Sequence, residues 1–160
     1  MKRHTRSADA AATKEAPRTK LGILDGLLGY HLRRAQVVVF QHFATSVGAA
    51  GVTPAQLGVL AVINANPGTS QTRLGAALGI DRSTVVGMID ELEATGLVQR
   101  ASAPNDRRSH ALRLSEQGAA TLRRLEAVVR AHENDVARRL GASERRQLIA
   151  LLRRIVPPPG

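Results

Sequence analysis

The 160 residues contain no cysteine and no tryptophan. Without thiols, a disulfide scaffold, thiol catalysis, a cysteine redox switch and a cysteine-ligated zinc site are all excluded. Aromatic rings are confined to Tyr30, Phe40 and Phe43, too few for the stacking platform that grips single-stranded nucleic acid. Long apolar runs are missing too. The longest, Leu57 to Ile63, falls far short of the ~20 residues that span a bilayer, so no membrane partner is expected. Residues 1–20 carry charge but no apolar stretch, which predicts no secretion signal and a cytoplasmic location. Negative charge is the other scarcity. Lys and Arg number 23 against 13 Asp and Glu, a net charge of +10, which favours an acidic partner such as nucleic acid.

That excess is unevenly placed. Residues 1–20 and 115–160 each carry +4, whereas 21–66 and 67–114 carry only +1 each. A nucleic-acid site in the middle must therefore work by local placement of charge. The length fits one domain with a sizeable core, and the chain reads as a set of helices around one small hairpin. Residues 1–20 lack periodicity and are expected to form a disordered basic tail. From Leu21 the spacing is helical: Leu24, Leu27, Leu28, His31, Ala35, Val38, Val39 and His42 line one face, and Gly48 and Gly51 end it. Thr53-Pro54-Ala55-Gln56 is a helix start with a capping box, and Asn64 to Gly68 closes that helix. Ser70 opens a short helix that Gly79 ends. Asp81 caps the next, which buries Val85, Met88, Ile89 and Leu92 and stops at Gly96. Leu97 to Ala101 and His110 to Leu114 read as two strands joined by a charged loop, Ser102 to Ser109. Ser115 then caps a long helix with Leu122, Leu125, Val128, Val129, His132, Val136 and Leu140 on one face, broken at Gly141. Ser143 caps the last helix, through Leu148, Leu151, Leu152 and Ile155 to Pro157-Pro158-Pro159.

This order is mainly α with a small β-hairpin wing: a winged helix-turn-helix lobe (53–114) between helices suited to dimerisation (21–52 and 115–160). The segment Leu74-Gly75-Ala76-Ala77-Leu78-Gly79-Ile80-Asp81-Arg82-Ser83-Thr84-Val85 leads into Ile89-Asp90-Glu91-Leu92-Glu93-Ala94-Thr95-Gly96-Leu97-Val98. Most specific are Pro104-Asn105-Asp106-Arg107-Arg108 and Leu112-Arg113-Leu114-Ser115-Glu116-Gln117-Gly118. At these residues the chain resembles the MarR family of bacterial winged helix-turn-helix transcription regulators, over about Leu21 to Ile155.

The resemblance implies a recognition helix presenting Arg82, Ser83, Thr84, Val86 and Gly87 to the major groove, with Ser70, Gln71 and Arg73 of the preceding helix among the DNA contacts. Val86 and Gly87 depart from the polar or basic residues frequent there. Gly87 costs about 1 kcal/mol of helix propensity relative to Ala, which points to close approach. Asp90, Glu91 and Glu93 lie in the second half of this helix, so only its first two turns should enter the groove. In the wing, the resemblance assigns Asp106 to brace Arg108, with Arg107 beside it, in the minor groove. Four Arg against one Asp between Arg100 and Arg113 supply a local +3 there.

A homodimer is implied, bound to a palindromic operator with half-sites about one turn, or 10–10.5 bp, apart. So is a small anionic or aromatic effector, an aromatic acid or its CoA thioester, which releases a repressor from DNA. Tyr30, His31, Arg33, Arg34, His42 and Phe43 are the expected ligand site, with Phe40 nearby. The other reading of the same residues is core aromatics with a solvated arginine pair. His42 and His132 lack the local ligand cluster that a metal needs, and no cofactor is expected. No Gly-rich phosphate loop or nucleophile–base pair marks an enzyme. A winged-helix architectural or protein-interaction module without an effector is the alternative function. Salt-dependent, sequence-independent DNA binding would distinguish it.

Overall fold

The structure, a computed structural model, describes residues 19–48, 51–103 and 106–156; residues 102–103 and 106–110 are described by their backbone alone. A 3-10 turn (Gly22–Gly26) precedes α1 (Leu28–Ser46), α2 (Pro54–Ala65), α3 (Gln71–Leu78), α4 (Arg82–Ala94), β1 (Val98–Ala103), β2 (Asp106–Leu114), α5 (Glu116–Val136) and α6 (Ala142–Ile155). The architecture is mainly helical with one two-stranded antiparallel sheet, as expected. No helix among the described residues is long and apolar enough to cross a membrane.

Local chemistry explains most boundaries. Thr53 Oγ1 accepts from Gln56 N at 3.2 Å and Gln56 Oε1 accepts from Thr53 N at 3.0 Å, so two orphan donors at the start of α2 are satisfied reciprocally. Ser70 and Asp81 cap α3 and α4 through the N–H groups of Arg73 and Thr84. Gly79 (φ 64°) and Gly96 (φ 72°) take the left-handed conformation that ends those helices. Ser115 accepts from Gly118 N at 2.9 Å and donates to Gly96 O. It thereby ties the start of α5 to the end of α4.

Two hydrophobic clusters share this frame. The larger joins Val59, Leu60 and Ile63 of α2, Leu74 of α3, Val85, Ile89 and Leu92 of α4, Val98, Leu112 and Leu122. Its members come from every element of the helix-turn-helix and both strands, so the lobe is one packed body. The smaller holds Phe43, Val47, Val52 and Leu125. Leu57 packs against both. The sheet pairs Val98 with Leu114 through Ser102 with His110, then shifts register to pair Ala103 with Asp106. Leu112 also bonds the turn before α3: its N–H donates to Thr69 O at 2.9 Å and its carbonyl accepts from Gly68 N at 2.8 Å. The root of the hairpin is thus stapled to the helix-turn-helix.

Several boundaries differ from expectation. The α-helix begins only at Leu28, because Leu27 is extended (φ −93°, ψ 116°); Leu24 lies in the separate 3-10 turn that Gly22 (φ 58°) opens, and both Leu24 and Leu27 are outside α1. β2 starts at Asp106 rather than His110, so Asp106, Arg107 and Arg108 lie on the strand and not in a loop. α5 ends at Val136 and leaves Leu140 in a turn. The cap of α6 is Gly141, not Ser143: Glu144 Oε2 accepts from Gly141 N at 2.7 Å. The expected tail, up to residue 18, and Pro157-Pro158-Pro159 lie outside the described residues.

Candidate nucleic-acid interface

In α4, Val85, Ile89 and Leu92 are buried at i, i+4 and i+7, which turns the opposite face outward. Arg82, Ser83, Thr84 and Gly87 are exposed and Val86 is half-buried. A Cβ built on Gly87 would meet nothing within 4 Å, so nothing within the chain demands glycine there. Asp81, just ahead of the helix, is densely bonded. Its Oδ1 accepts from Thr84 N at 2.9 Å and from Ser83 Oγ at 2.5 Å, and its Oδ2 accepts from Thr84 Oγ1 at 2.6 Å. The Ser83 hydroxyl, then the Thr84 hydroxyl and amide, hold the Asp81 carboxyl well below the usual aspartate range.

The acids in the second half of α4 have partners that spacing alone did not reveal. Arg100 of β1 forks to Asp90 Oδ1 and Glu93 Oε2, both at 2.5 Å. Burial works against the Arg100 charge, yet the bonds to Asp90 and Glu93 hold its pKa above the ordinary value. Glu91 Oε2 accepts from Gln56 Nε2 at 3.2 Å. The three carboxylates are therefore occupied inside the lobe, and Arg100 fixes the hairpin against α4. The sequence reading counts Arg100 toward the local charge of the wing and misses this pairing, because its partners lie across the turn at Gly96 and follow no helical spacing; the Arg100 charge is spent within the lobe.

Ser70 is spent as the cap of α3, Gln71 is half-buried and Arg73 is exposed. Arg73 borders a cleft of about 410 Å³ with Val62, Asn66, Pro67, Gly68, Thr69 and Ala77. For Asp106, Arg107 and Arg108, only the strand backbone is described. The expected brace from Asp106 to Arg108 lies outside the described side chains, as do Pro104 and Asn105.

The expected ligand residues on α1 separate into two groups. Near its start, His31 Nε2 lies 2.7 Å from Asp25 O, and the Tyr30 ring meets His31 edge-on at 5.4 Å. Arg34 lies over the Tyr30 ring at 5.8 Å, a cation–π contact, while Arg33 reaches Gln36 Oε1 at 3.4 Å. Near the end of α1, Phe43 is buried in the smaller cluster. His42 Nδ1 is 2.8 Å from His132 Nδ1, so one imidazole donates and the other accepts. His42 Nε2 is 3.8 Å from Asp135 Oδ2, and His132 is only 3 % exposed. These histidines join α1 to α5; among the described residues no group of three acidic or histidine side chains is set to hold a metal. A cavity of about 590 Å³ opens between the end of α1 and the start of α2, lined by Phe40, Phe43, Ala44, Gly48, Gly51, Val52, Thr53, Pro54 and Ala55. Phe40 was the aromatic ring best placed to mark it in the sequence.

Comparison with known proteins fits this geometry. The model of the MarR family matches residues 50–109. A candidate transcriptional regulatory protein for the hcr operon of Thauera aromatica is 42% identical over 135 residues, covering 84% of this chain and 81% of the relative. The transcriptional repressor CouR bound to a 23-mer DNA duplex superposes with a TM-score of 0.83 at 44% identity, over 87% of this chain and 99% of the other. CouR bound to p-coumaroyl-CoA gives 0.78 at 41% identity, over 86% and 97%.

Proposed function

This chain belongs to the MarR family of DNA-binding transcriptional regulators, and we propose that it is a homodimeric repressor released from its operator by an aromatic carboxylate or, better, its CoA thioester. The cavity between α1 and α2 carries this reading. Its size suits a small ligand, its walls are almost wholly apolar, and Phe40 and Phe43 supply rings to face an aromatic group. Arg33 precedes Phe40 by seven residues, so the two share a face of α1 about 10.5 Å apart along the axis. A ligand with an aromatic acyl end and a distant anionic end matches that spacing, with Arg34 one residue further on. The CouR complex with p-coumaroyl-CoA supports the same ligand class. Arg82, Ser83, Thr84, Val86 and Gly87 are the proposed major-groove face, Ser70, Gln71 and Arg73 flank it, and Arg107 and Arg108 with Asp106 serve the minor groove.

Dimerisation through the terminal helices has its own support. No residue of α6 is buried, and Leu148, Ile149, Leu151 and Ile155 are exposed along it, as are Ile23, Leu24, Leu27 and Leu28 near α1. A second copy would cover them and set two recognition helices on a palindrome.

Fluorescence anisotropy on the DNA upstream of the chain's own gene tests the proposal, with p-coumaroyl-CoA, benzoyl-CoA and the free acids as competitors. The expected result is release by a thioester, with the response weakened in Arg33→Ala and Arg34→Ala while DNA binding is kept. A sequence-selective complex that none of the four compounds weakens refutes the effector reading.

A further inference from the structure

The histidine pair that joins α1 to α5 has room for one positive charge but not for two. His42 Nδ1 lies 2.8 Å from His132 Nδ1, so the contact needs one N–H and one lone pair. A first added proton goes to the outer nitrogen of the donating ring and leaves that bond in place. On His42 this outer nitrogen, Nε2, is 3.8 Å from Asp135 Oδ2. A second added proton must go to the accepting Nδ1. It would set two N–H groups and two positive charges against each other across the same 2.8 Å. We infer that this pair is a proton switch: the second proton parts α1 from α5 at the histidines and lowers operator affinity with no effector present.

The surroundings favour the first charge and oppose the second. His132 is buried, with the Phe43 ring edge-on to it at 5.4 Å, so water does little to screen a charge there. Asp135 lines a cavity of about 560 Å³ with Val38, His42, Val136, Arg138 and Arg139, and so sets one negative charge against two positive ones. The other charges of α5 nearby are engaged, Glu133 by Arg145 of α6 and Arg130 by Glu126. On α1 the nearest charged side chains are Arg33 and Arg34, also positive and at least two helical turns earlier, while Ser46 brings only a hydroxyl, 3.4 Å from His42 Nδ1. α2, which also packs on α5, carries no charged residue. Once the rings part, each takes its own proton near pH 6.5, as free imidazole does. The open pair then holds one proton more than the closed pair, and acid favours it. Phe43, Val47, Val52 and Leu125 still hold the two helices together, so the joint loosens without unfolding. The far end of α5 stays tied to Gly96 through Ser115, and the lobe is left at a less defined angle to α1. The sign is opposite to that of charge alone, because protonating any other histidine adds positive charge and tightens binding to DNA.

The test uses the full chain and its operator DNA at fixed salt, with no thioester added. Anisotropy titrations from pH 7.5 to 5.5 should show wild-type affinity falling roughly 3- to 10-fold, since one extra proton is worth about tenfold per pH unit below the imidazole value. The double variant His42→Asn with His132→Asn keeps an N–H and an acceptor at the joint but has no proton to gain. Its affinity should stay level or rise over the same range, with circular dichroism confirming the fold. Asp135→Asn, on the surface, takes the carboxylate away from the first charge, so the fall should begin at higher pH. That variant decides the matter even where the double variant does not fold. The inference is overturned if wild-type affinity is level or rises as pH falls, if the folded double variant loses affinity as the wild type does, or if Asp135→Asn leaves the fall in place or moves it to lower pH. Because no effector enters these titrations, a chain that no thioester releases would defeat the effector proposal and leave this inference standing.

Discussion

Gly118→Ala is expected to be among the most damaging small substitutions in the lobe. Gly118 is buried in the first turn of α5, and a Cβ there would sit 1.9 Å from Leu97 O and 2.9 Å from Leu97 C. Both atoms are backbone, so no side chain can swing aside. To restore ordinary contact, α5 must withdraw from Leu97 by more than about 1 Å, against a close-packed interior. The same carbonyl accepts from Ser115 N at 3.1 Å, and Ser115 Oγ donates to Gly96 O; both bonds lengthen with that shift. Overpacking costs about 1–3 kcal/mol and each weakened hydrogen bond up to about 1 kcal/mol, while alanine returns about 1 kcal/mol of helix propensity. The net loss is about 2–3 kcal/mol. At about 2–4 °C per kcal/mol for a domain of this size, Tm should fall by about 4–12 °C. Urea unfolding at fixed protein concentration measures it, since dimerisation makes stability depend on concentration. A loss below about 1 kcal/mol would show that α5 is not held against Leu97 as described.

Gly87→Ala is expected to act in reverse: stability rises by up to about 1 kcal/mol, because its Cβ meets nothing, while operator affinity falls. Equal or tighter DNA binding in anisotropy would remove Gly87 from the interface. Arg100→Ala frees Asp90 and Glu93 on α4, the proposed recognition helix, and should cost roughly 1–2 kcal/mol of stability as well as DNA affinity; unchanged values in both assays contradict its placement. For Asp81 the folded carboxyl is held below its ordinary range, so its contribution is full above the normal aspartate pKa and is lost only as pH falls through the lowered value. The stability difference between wild type and Asp81→Ala should therefore be flat from pH 5 to 8 and shrink only in strong acid. A decline already apparent near pH 5 would contradict the bonding around Asp81.

Much of the lobe was legible because its punctuation is local. Thr53 with Gln56, Ser70, Asp81, Gly79, Gly96 and Ser115 each act on backbone within a few residues, and each marked its boundary. Where local signals compete, residue type alone misplaces the boundary: Ser143 is a good cap by type, but Glu144 reaches back to Gly141 instead. Gly22 and Leu27 interrupt a leucine spacing that looks continuous. The expected first strand stops at Ala101 because Ser102 and Ala103 continue no apolar alternation; pairing with β2 makes them part of β1. The site divides in the same way. The exposed tip of α4 follows from helical periodicity, whereas the Arg100 fork and the His42–His132 bond join residues 7 to 90 positions apart and depend on tertiary packing. Helix rise alone sets Arg33 and Arg34 about 12–15 Å along α1 from His42 and Phe43, a separation that shared membership of one helix does not show.

The run of α5 from Gly118 to His132 has a mechanical consequence. Those 15 residues, 14 helical steps, form a rigid arm of about 21 Å, rooted at one end on Leu97 and pinned at the other to His42 of α1. A tilt of 10° about the pin carries the root through roughly 4 Å, close to the 3.4 Å between neighbouring bases on a strand. In a two-fold dimer both arms swing, and the displacement between half-sites doubles. Under the proposed function, a ligand lodged beside Phe43, whose ring packs edge-on against His132, would thus put two recognition helices out of step with the groove without touching either of them.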